Sequence, residues 1–428
     1  MPTRYHRMAG LFLALAVLGW VSFRMTRRLA EEPYVDFRAF YDAATAVNTN
    51  ADIYRAGAEM YIYPPMLAAW MSPLARLPIL TAGWVWYALA VITTVVALRG
   101  WWRLVEKRFA LPPGGFAPAL GAAVACWIEQ VRREAETGQC DWLLLGALVL
   151  AAVTLDRRPI VAGVLLGFAV NVKYVPIVFV VWLLIRRRWT AAIAAIGATV
   201  LWAVLPALVL GWDRNLDYLL RATAGLGKLL GIHVEGQPGL VYPLEYEYSV
   251  SVPSGAARVG KLLGVGRVLV VPIVGLVAAG CLLIARRLYR RHGFGLFVRR
   301  PTDPPGLDVL EWTGLLVAML AFSPQTQNRH LFLLLPMVLL ATGFLTHRVE
   351  MTRSLVALVI GVLGTALIGD AVAIKEQGAV NWGFFGGGGL AILAMFLILL
   401  DAGLRQLARS RGVNTAGLSP TITLPLSE

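Results

Sequence analysis

The chain has 428 residues, of which 58% are hydrophobic and only 15% charged, with a mean hydropathy of +0.67. A soluble domain is about one quarter charged, and here the apolar residues fall into many runs of roughly 16 to 20 residues without a fixed charge, the length of a helix crossing a bilayer. These figures exclude a soluble enzyme, a disordered chain and a secreted disulfide scaffold, and continuous rather than alternating runs speak against a β-barrel.

The runs predict spans at 8–23, 80–98, 114–130, 139–155, 159–172, 174–186, 189–211, 266–285, 308–322, 331–347, 352–370 and 383–401. The expected fold is therefore an all-α polytopic membrane protein of about 12 transmembrane helices. The first span follows Met1–Arg7 like a signal peptide. It has no small-x-small cleavage site before Arg24, so it is read as retained. The pair 159–172 and 174–186 is short enough for a broken or tilted hairpin.

The net charge is +14. In a soluble protein this points to nucleic acid; here it sets orientation. With the N-terminus inside, 22 of the 39 Lys and Arg fall in cytoplasmic segments and 5 in short outer loops. The rest lie in two long outer loops, about 24–79 and 212–265, which translocate largely regardless of charge. Arg24, Arg27 and Arg28, just outside the first span, are the exception. Residues 1–411 read as one membrane domain, the basic, Pro-rich loop 286–307 as lying on the cytoplasmic membrane surface, and 412–428 as a disordered cytoplasmic tail. Cys126, Cys140 and Cys281 have no metal-ligand spacing, and pairing of Cys126 with Cys140 is not favoured.

The first outer loop carries the chemistry. Phe37, Phe40, Tyr41, Ala44 and Val47 keep helical spacing and predict an interfacial helix. Asp36 stands at its start, where a carboxylate is a favoured N-cap. The same carboxylate, beside aromatics and Arg38, could serve as a general base, and the loop alone favours the cap. Tyr61, Tyr63, Pro64 and Pro65 form a rigid turn back toward the membrane.

Further along, Lys173 sits between two apolar segments, where a lone charge needs a partner or snorkels. Arg329 and His330 lie in the polar loop SPQTQNRH, as interfacial anchors or as donors to phosphate or sugar oxygens. Gln139 and Asp141 suit a helix N-terminus. Trp70, Trp84 and Trp86 read as an interfacial belt, Glu245 and Glu247 as solvated, and Gly386–Gly389 as close helix packing. No HExxH, CxxC, GxSxG or Asp-x-Asp occurs.

The order of these pieces resembles glycosyltransferase family 87, polyprenyl-phosphate-mannose-dependent enzymes of the GT-C membrane fold. The resemblance rests on Asp36-Phe37-Arg38-Ala39-Phe40-Tyr41-Asp42, then Asp52-Ile53-Tyr54 and Tyr61-Ile62-Tyr63-Pro64-Pro65. It continues through Gly138-Gln139-Cys140-Asp141, Asn171-Val172-Lys173-Tyr174-Val175-Pro176 and Ser323-Pro324 followed by Arg329-His330. The second outer loop departs from the pattern, with Tyr248-Ser249-Val250-Ser251-Val252 where an Asn-Gln-Ser-type segment is expected.

The resemblance implies transfer of a mannose-like hexose from a polyprenyl-phosphate donor to a lipid-linked or glycan acceptor, inverting, on the extracytoplasmic face, and the short loops and compact membrane domain suggest a bacterial inner membrane. It implies Asp36 as base; Lys173, Arg329 and His330 are candidates to hold the donor phosphate, Arg38 to contact it or to pair with Asp36, and Tyr63 and Gln139 are further candidate substrate-binding residues. No cofactor is expected, and no nucleic-acid partner; membrane lipids surround the chain. A transporter or flippase of lipid-linked sugars is the second expectation.

Overall fold

Long apolar runs fold as helices because hydrocarbon offers no water to satisfy backbone N–H and C=O groups. The computed structural model describes residues 4–31, 35–229, 241–368 and 380–416, and every regular element among them is helical apart from one isolated antiparallel bridge, Ser249 to Gln327. Six helical stretches are long and apolar enough to cross a membrane: Arg4–Arg27, Ile79–Arg108, Trp189–Leu210, Gly266–Arg291, Asn328–Thr346 and Gly387–Arg411. Four shorter apolar helices, Phe116–Cys126, Asp141–Thr154, Pro159–Val172 and Met351–Ala366, lie among them.

The first part of the chain builds the site. Helix α1 (Arg4–Glu31) is followed by α2 (Val35–Asn48), α3 (Pro65–Met71), α4 (Ile79–Arg108), α5 (Phe116–Cys126) and α6 (Ile128–Thr137). Then come α7 (Asp141–Thr154), α8 (Pro159–Val172), α9 (Ile177–Ile185) and α10 (Trp189–Val204). The expected span 114–130 ends early: α5 stops at Cys126, and Trp127 leaves helical geometry while its indole donates to the Leu331 carbonyl at 2.8 Å. The reason is composition, since the following IEQVRREAET is polar along all but one face and cannot enter hydrocarbon. Helix α1 packs on α5 so closely that a Cβ on Gly121 would meet the Gly10 carbonyl oxygen at 2.3 Å.

Helices α11 (Ala207–Leu210) and α12 (Trp212–Leu229) follow, and the second loop expected to be outer, which opens with α12, folds onto the first. Arg221 reaches Asp52 at 2.8 Å, and the Tyr54 and Tyr218 rings meet edge to face at 5.6 Å. Residues 241–251 then run to α13 (Val252–Leu262) and α14 (Val270–Arg291). Here the unusual Tyr248–Val252 segment has a supporting role. Val250 N–H donates to Thr326 O at 2.8 Å and the Ser249 hydroxyl to Pro324 O at 3.0 Å, while Gly389 N–H donates to Val250 O at 2.7 Å. The glycine run therefore packs against this segment.

Helices α15 (Gly306–Ala321), α16 (Leu335–Thr346), α17 (Met351–Ala366) and α18 (Gly387–Ala416) complete the bundle, with α16 preceded by a 3-10 turn over Asn328–Leu334. Leu335 to Phe344 are buried throughout. Helix α18 runs to Ala416, so residues 412–416 of the expected tail are helical, and 417–428 lie outside the described residues.

Charge collects at two ends. At the end expected to be cytoplasmic, Arg186 meets Glu311 at 2.5 Å, and Arg188 and Arg299 meet Asp308 at 3.0 and 2.8 Å. At the other, Arg24, one of the exceptions in the charge count, finds Glu136 of α6 at 3.0 Å. The three cysteines are unpaired.

Candidate active site

Asp36 lies in the first turn of α2, whose apolar stripe Phe37, Phe40, Ala43, Ala44 and Val47 is buried. That burial fixes the helix and turns Asp36 into a cavity of about 250 Å³. Arg329 also lines the cavity, its Nη1 lying 2.7 Å from Asp36 Oδ2. Both side chains are mostly buried, at 15% and 20% exposure. Burial raises the Asp36 carboxyl above its ordinary 3.8, while Arg329, Lys173 and the Thr137 hydroxyl oppose the rise without cancelling it. A carboxylate so placed is a stronger base than one in water.

Lys173 caps the C-terminal end of α8 and lines the same cavity. It pairs with Asp141, the fully buried first residue of α7. Its ammonium also lies 5.7 Å from the centre of the Tyr63 ring. Burial works against that charge, yet Asp141 and its neighbours hold the ammonium above its ordinary range. The partner a buried lysine needs is thus Asp141.

His330 lines the cavity with its ring fixed by the turn before α16. Its Nδ1 accepts the Gln327 N–H at 3.2 Å, so in the neutral ring the proton sits on Nε2. Nε2 makes no hydrogen bond among the described residues. Tyr63 lines the cavity too, packed edge to face on Phe40 at 5.1 Å, and its hydroxyl donates to Gln139 Oε1 at 3.1 Å.

Gln139 itself sits behind Tyr63, outside this cavity, and faces a second, apolar groove. Its position follows from Gly138, which ends α6 with φ at +64°, a left-handed turn that glycine adopts without a Cβ penalty. Arg38 is not brought to the site. It pairs with Asp42 one turn along α2 at 3.0 Å with half its side chain exposed, the (i, i+4) partner always being nearer than Asp36 on a helix surface.

Several residues of the region carried no usable signal. Tyr242 and Tyr246 line the cavity with rings stacked at 3.8 Å, and Gln325 donates to Tyr242 O at 2.9 Å. Glu134 of α6 is buried with neither oxygen hydrogen-bonded among the described residues. Burial and then Asp141 push its carboxyl well above 4.5, against Lys173 and Arg329. Of the other candidates, Glu245 pairs with Arg267 at 2.7 Å. Trp86 is buried and donates to Gly138 O at 3.0 Å, while Trp70 and Trp84 are exposed on the bundle surface. Among the described residues no group of three His, Cys, Asp or Glu could hold a metal ion.

A helical bundle with six stretches fit to cross a membrane, carrying a basic carboxylate and three nitrogen donors around one cavity, has the makings of a membrane-embedded transfer site. The model of glycosyltransferase family 87 matches residues 61–324, more than half of the chain, and the chain belongs to that family. It is 29% identical over 224 residues to a polyprenol-phosphate-mannose-dependent alpha-(1-2)-phosphatidylinositol mannoside mannosyltransferase of Mycolicibacterium smegmatis, covering 48% of this chain and 50% of the relative. It is 26% identical over 228 residues to the protein of the same description from Mycobacterium tuberculosis, covering 48% and 52%. A Mycobacterium tuberculosis polyprenol-phosphate-mannose-dependent alpha-(1-2)-phosphatidylinositol pentamannoside mannosyltransferase is 25% identical over 352 residues, covering 79% and 73%. The chain spans about half the length of the first two of these relatives. No solved structure matches.

Proposed function

We propose that the chain is a membrane mannosyltransferase that moves a hexose from a polyprenyl-phosphate donor to a hydroxyl of a phosphatidylinositol-mannoside-like lipid, with Asp36 as base. We read the bundle as GT-C-like, with about twelve crossings, the termini inside and the cavity on the extracytoplasmic face. One observation carries the reading: Asp36, Lys173, Arg329 and His330, from widely separated parts of the sequence, line one cavity in a chain of this family.

The chemistry follows from the charges. The acceptor oxygen attacks C1 of the donor sugar from the face opposite the phosphate, so the configuration inverts. The acceptor O–H proton passes to Asp36, and the C1–O bond breaks with its electron pair leaving on the phosphate. Asp36 goes from −1 to neutral while the phosphate goes from −1 to −2. Arg329, which neutralises Asp36 beforehand, is then free to hold the departing phosphate. Lys173 and the His330 Nε2–H are further donors to phosphate oxygens. Tyr63 and the Tyr242–Tyr246 stack offer apolar faces to a sugar ring.

The test is transfer by the purified chain in lipid nanodiscs, given labelled polyprenyl-phosphate mannose and a panel of phosphatidylinositol mannosides. Label appearing in an acceptor supports the reading. Scrambling of the donor across vesicles without transfer overturns it in favour of a flippase.

A further inference from the structure

Beside the cavity, on the far side of Tyr63 and Gln139, runs an apolar groove of about 330 Å³ between α1, α4, α5 and α6. Leu11, Leu15 and Leu18 of α1 face Val91 and Val95 of α4 across it. No Lys, Arg or His lines it among the described residues. Its polar end is built from Glu134, Gln139 and Trp142, all at most 5% exposed. Each leaves polar atoms without a hydrogen bond among the described residues: both Glu134 oxygens, Gln139 Nε2 and Trp142 Nε1. Native proteins rarely bury such atoms unless something else satisfies them.

We propose that this groove seats an acyl chain of the glycerolipid acceptor, with the ester carbonyl accepting from Gln139 Nε2 and Trp142 Nε1 and Glu134 meeting a neighbouring hydroxyl. This rests on the transferase reading and assigns the acceptor's tail within it. The charges choose between the two lipids of the reaction. An isoprenoid is hydrocarbon up to its phosphate, so it would bring an anion to a carboxyl with no cation lining the groove. An acyl ester instead brings a neutral carbonyl to two neutral N–H donors, with the headgroup phosphodiester carried beyond the glycerol, past this polar end. The phosphate-holding cations lie in the other cavity, past Gln139, whose Oε1 is taken by Tyr63. A tail in this groove therefore delivers a headgroup hydroxyl toward Asp36 while leaving Lys173 and Arg329 to the donor.

The experiment is photo-crosslinking of the full chain in nanodiscs, followed by peptide mapping. One probe is a phosphatidylinositol mannoside with a diazirine in an acyl chain, one a polyprenyl phosphate with a diazirine in the isoprenoid, and one a diazirine phosphatidylcholine for bulk lipid. The expected result is that the first labels α1 and α4 several-fold above the phosphatidylcholine probe, and that unlabelled phosphatidylinositol mannoside competes. Val91→Trp and Leu18→Trp, which fill the groove from two different helices, should each abolish that labelling. Both should also raise KM for the acylated acceptor about tenfold, an effect of about 1.4 kcal/mol, while leaving KM for the donor and for a deacylated acceptor unchanged. Preferential labelling by the isoprenoid probe, or labelling no stronger than bulk lipid, overturns the assignment. Because crosslinking needs no turnover, specific acyl labelling without transfer leaves the groove assigned and sinks the transferase reading instead.

Discussion

Replacing Arg329 with glutamine separates the two roles proposed for it, partner of the base and holder of the leaving phosphate. Arg329 Nη1 and Asp36 Oδ2 are 2.7 Å apart, with the side chains 20% and 15% exposed. At such range and burial, breaking a pair costs about 3–5 kcal/mol of stability, and the residual exposure puts the expected value near the lower end. Arg329→Gln should therefore lower Tm, and adding Asp36→Asn should restore much of the loss because no unpaired charge remains.

In the transition state the same change removes a donor from the developing phosphate dianion, a loss of about 10²–10³ in kcat/KM, or about 2.7–4 kcal/mol. The pH dependence gives the sharper signature. Asp36 must be ionised to accept a proton. Its carboxyl already titrates above 3.8, so activity falls on acidification at a higher pH than for a free aspartate. Arg329 favours the ionised form, so its loss raises the Asp36 pKa further and moves the acid limb of kcat/KM to still higher pH. The assay is transfer of labelled mannose across a pH series in nanodiscs. An unmoved acid limb together with a loss under about tenfold, 1.4 kcal/mol, would refute the arrangement.

Lys173→Ala should weaken donor use more than acceptor use, read as separate KM values. It also strands the fully buried Asp141, costing about 3–5 kcal/mol, and Asp141→Asn in the same chain should recover stability without recovering donor affinity. Arg38→Ala, which removes only an exposed (i, i+4) pair worth about 0.3–0.5 kcal/mol, should leave both Tm and kcat/KM nearly unchanged; a loss of donor affinity would return Arg38 to the site. In a chain freed of its native cysteines, Glu59→Cys should react with an impermeant maleimide from outside intact cells and Val298→Cys only after permeabilisation, and the reverse pattern would invert the orientation.

The helices were legible because hydrocarbon length and charge-free runs leave few alternatives. Each of the twelve expected spans overlaps a helix, but six helical stretches among the described residues are long and apolar enough to cross a membrane, and the span at 114–130 overruns its helix because an apolar window cannot see the turn at Trp127. The site was less legible. Asp36 at a helix start looks the same as an N-cap, and only the family order of motifs raised it to a base. The structure adds Arg329, brought beside Asp36 from far along the chain, and no local pattern records such a meeting. Asp141 looked like a helix N-terminal acid for the same reason until Lys173 met it. Arg38 could have been placed from spacing alone, since Asp42 lies four residues on. Glu134 could not, because IEQVRREAETG holds several charges and nothing in the sequence says which one faces inward. The tyrosine stack at 242 and 246 arises where the second outer loop comes against Gln325, a contact set by tertiary structure.

The central claim is that Asp36 takes the acceptor proton, and the most direct test is single-turnover transfer by Asp36→Asn with labelled donor bound at the same occupancy as in the unaltered chain. General-base catalysis contributes about 10²–10⁴, so the account predicts a rate lower by that factor, with donor binding retained and with no acid limb near that of the unaltered chain. Transfer at an undiminished rate, with the same pH profile, would contradict it.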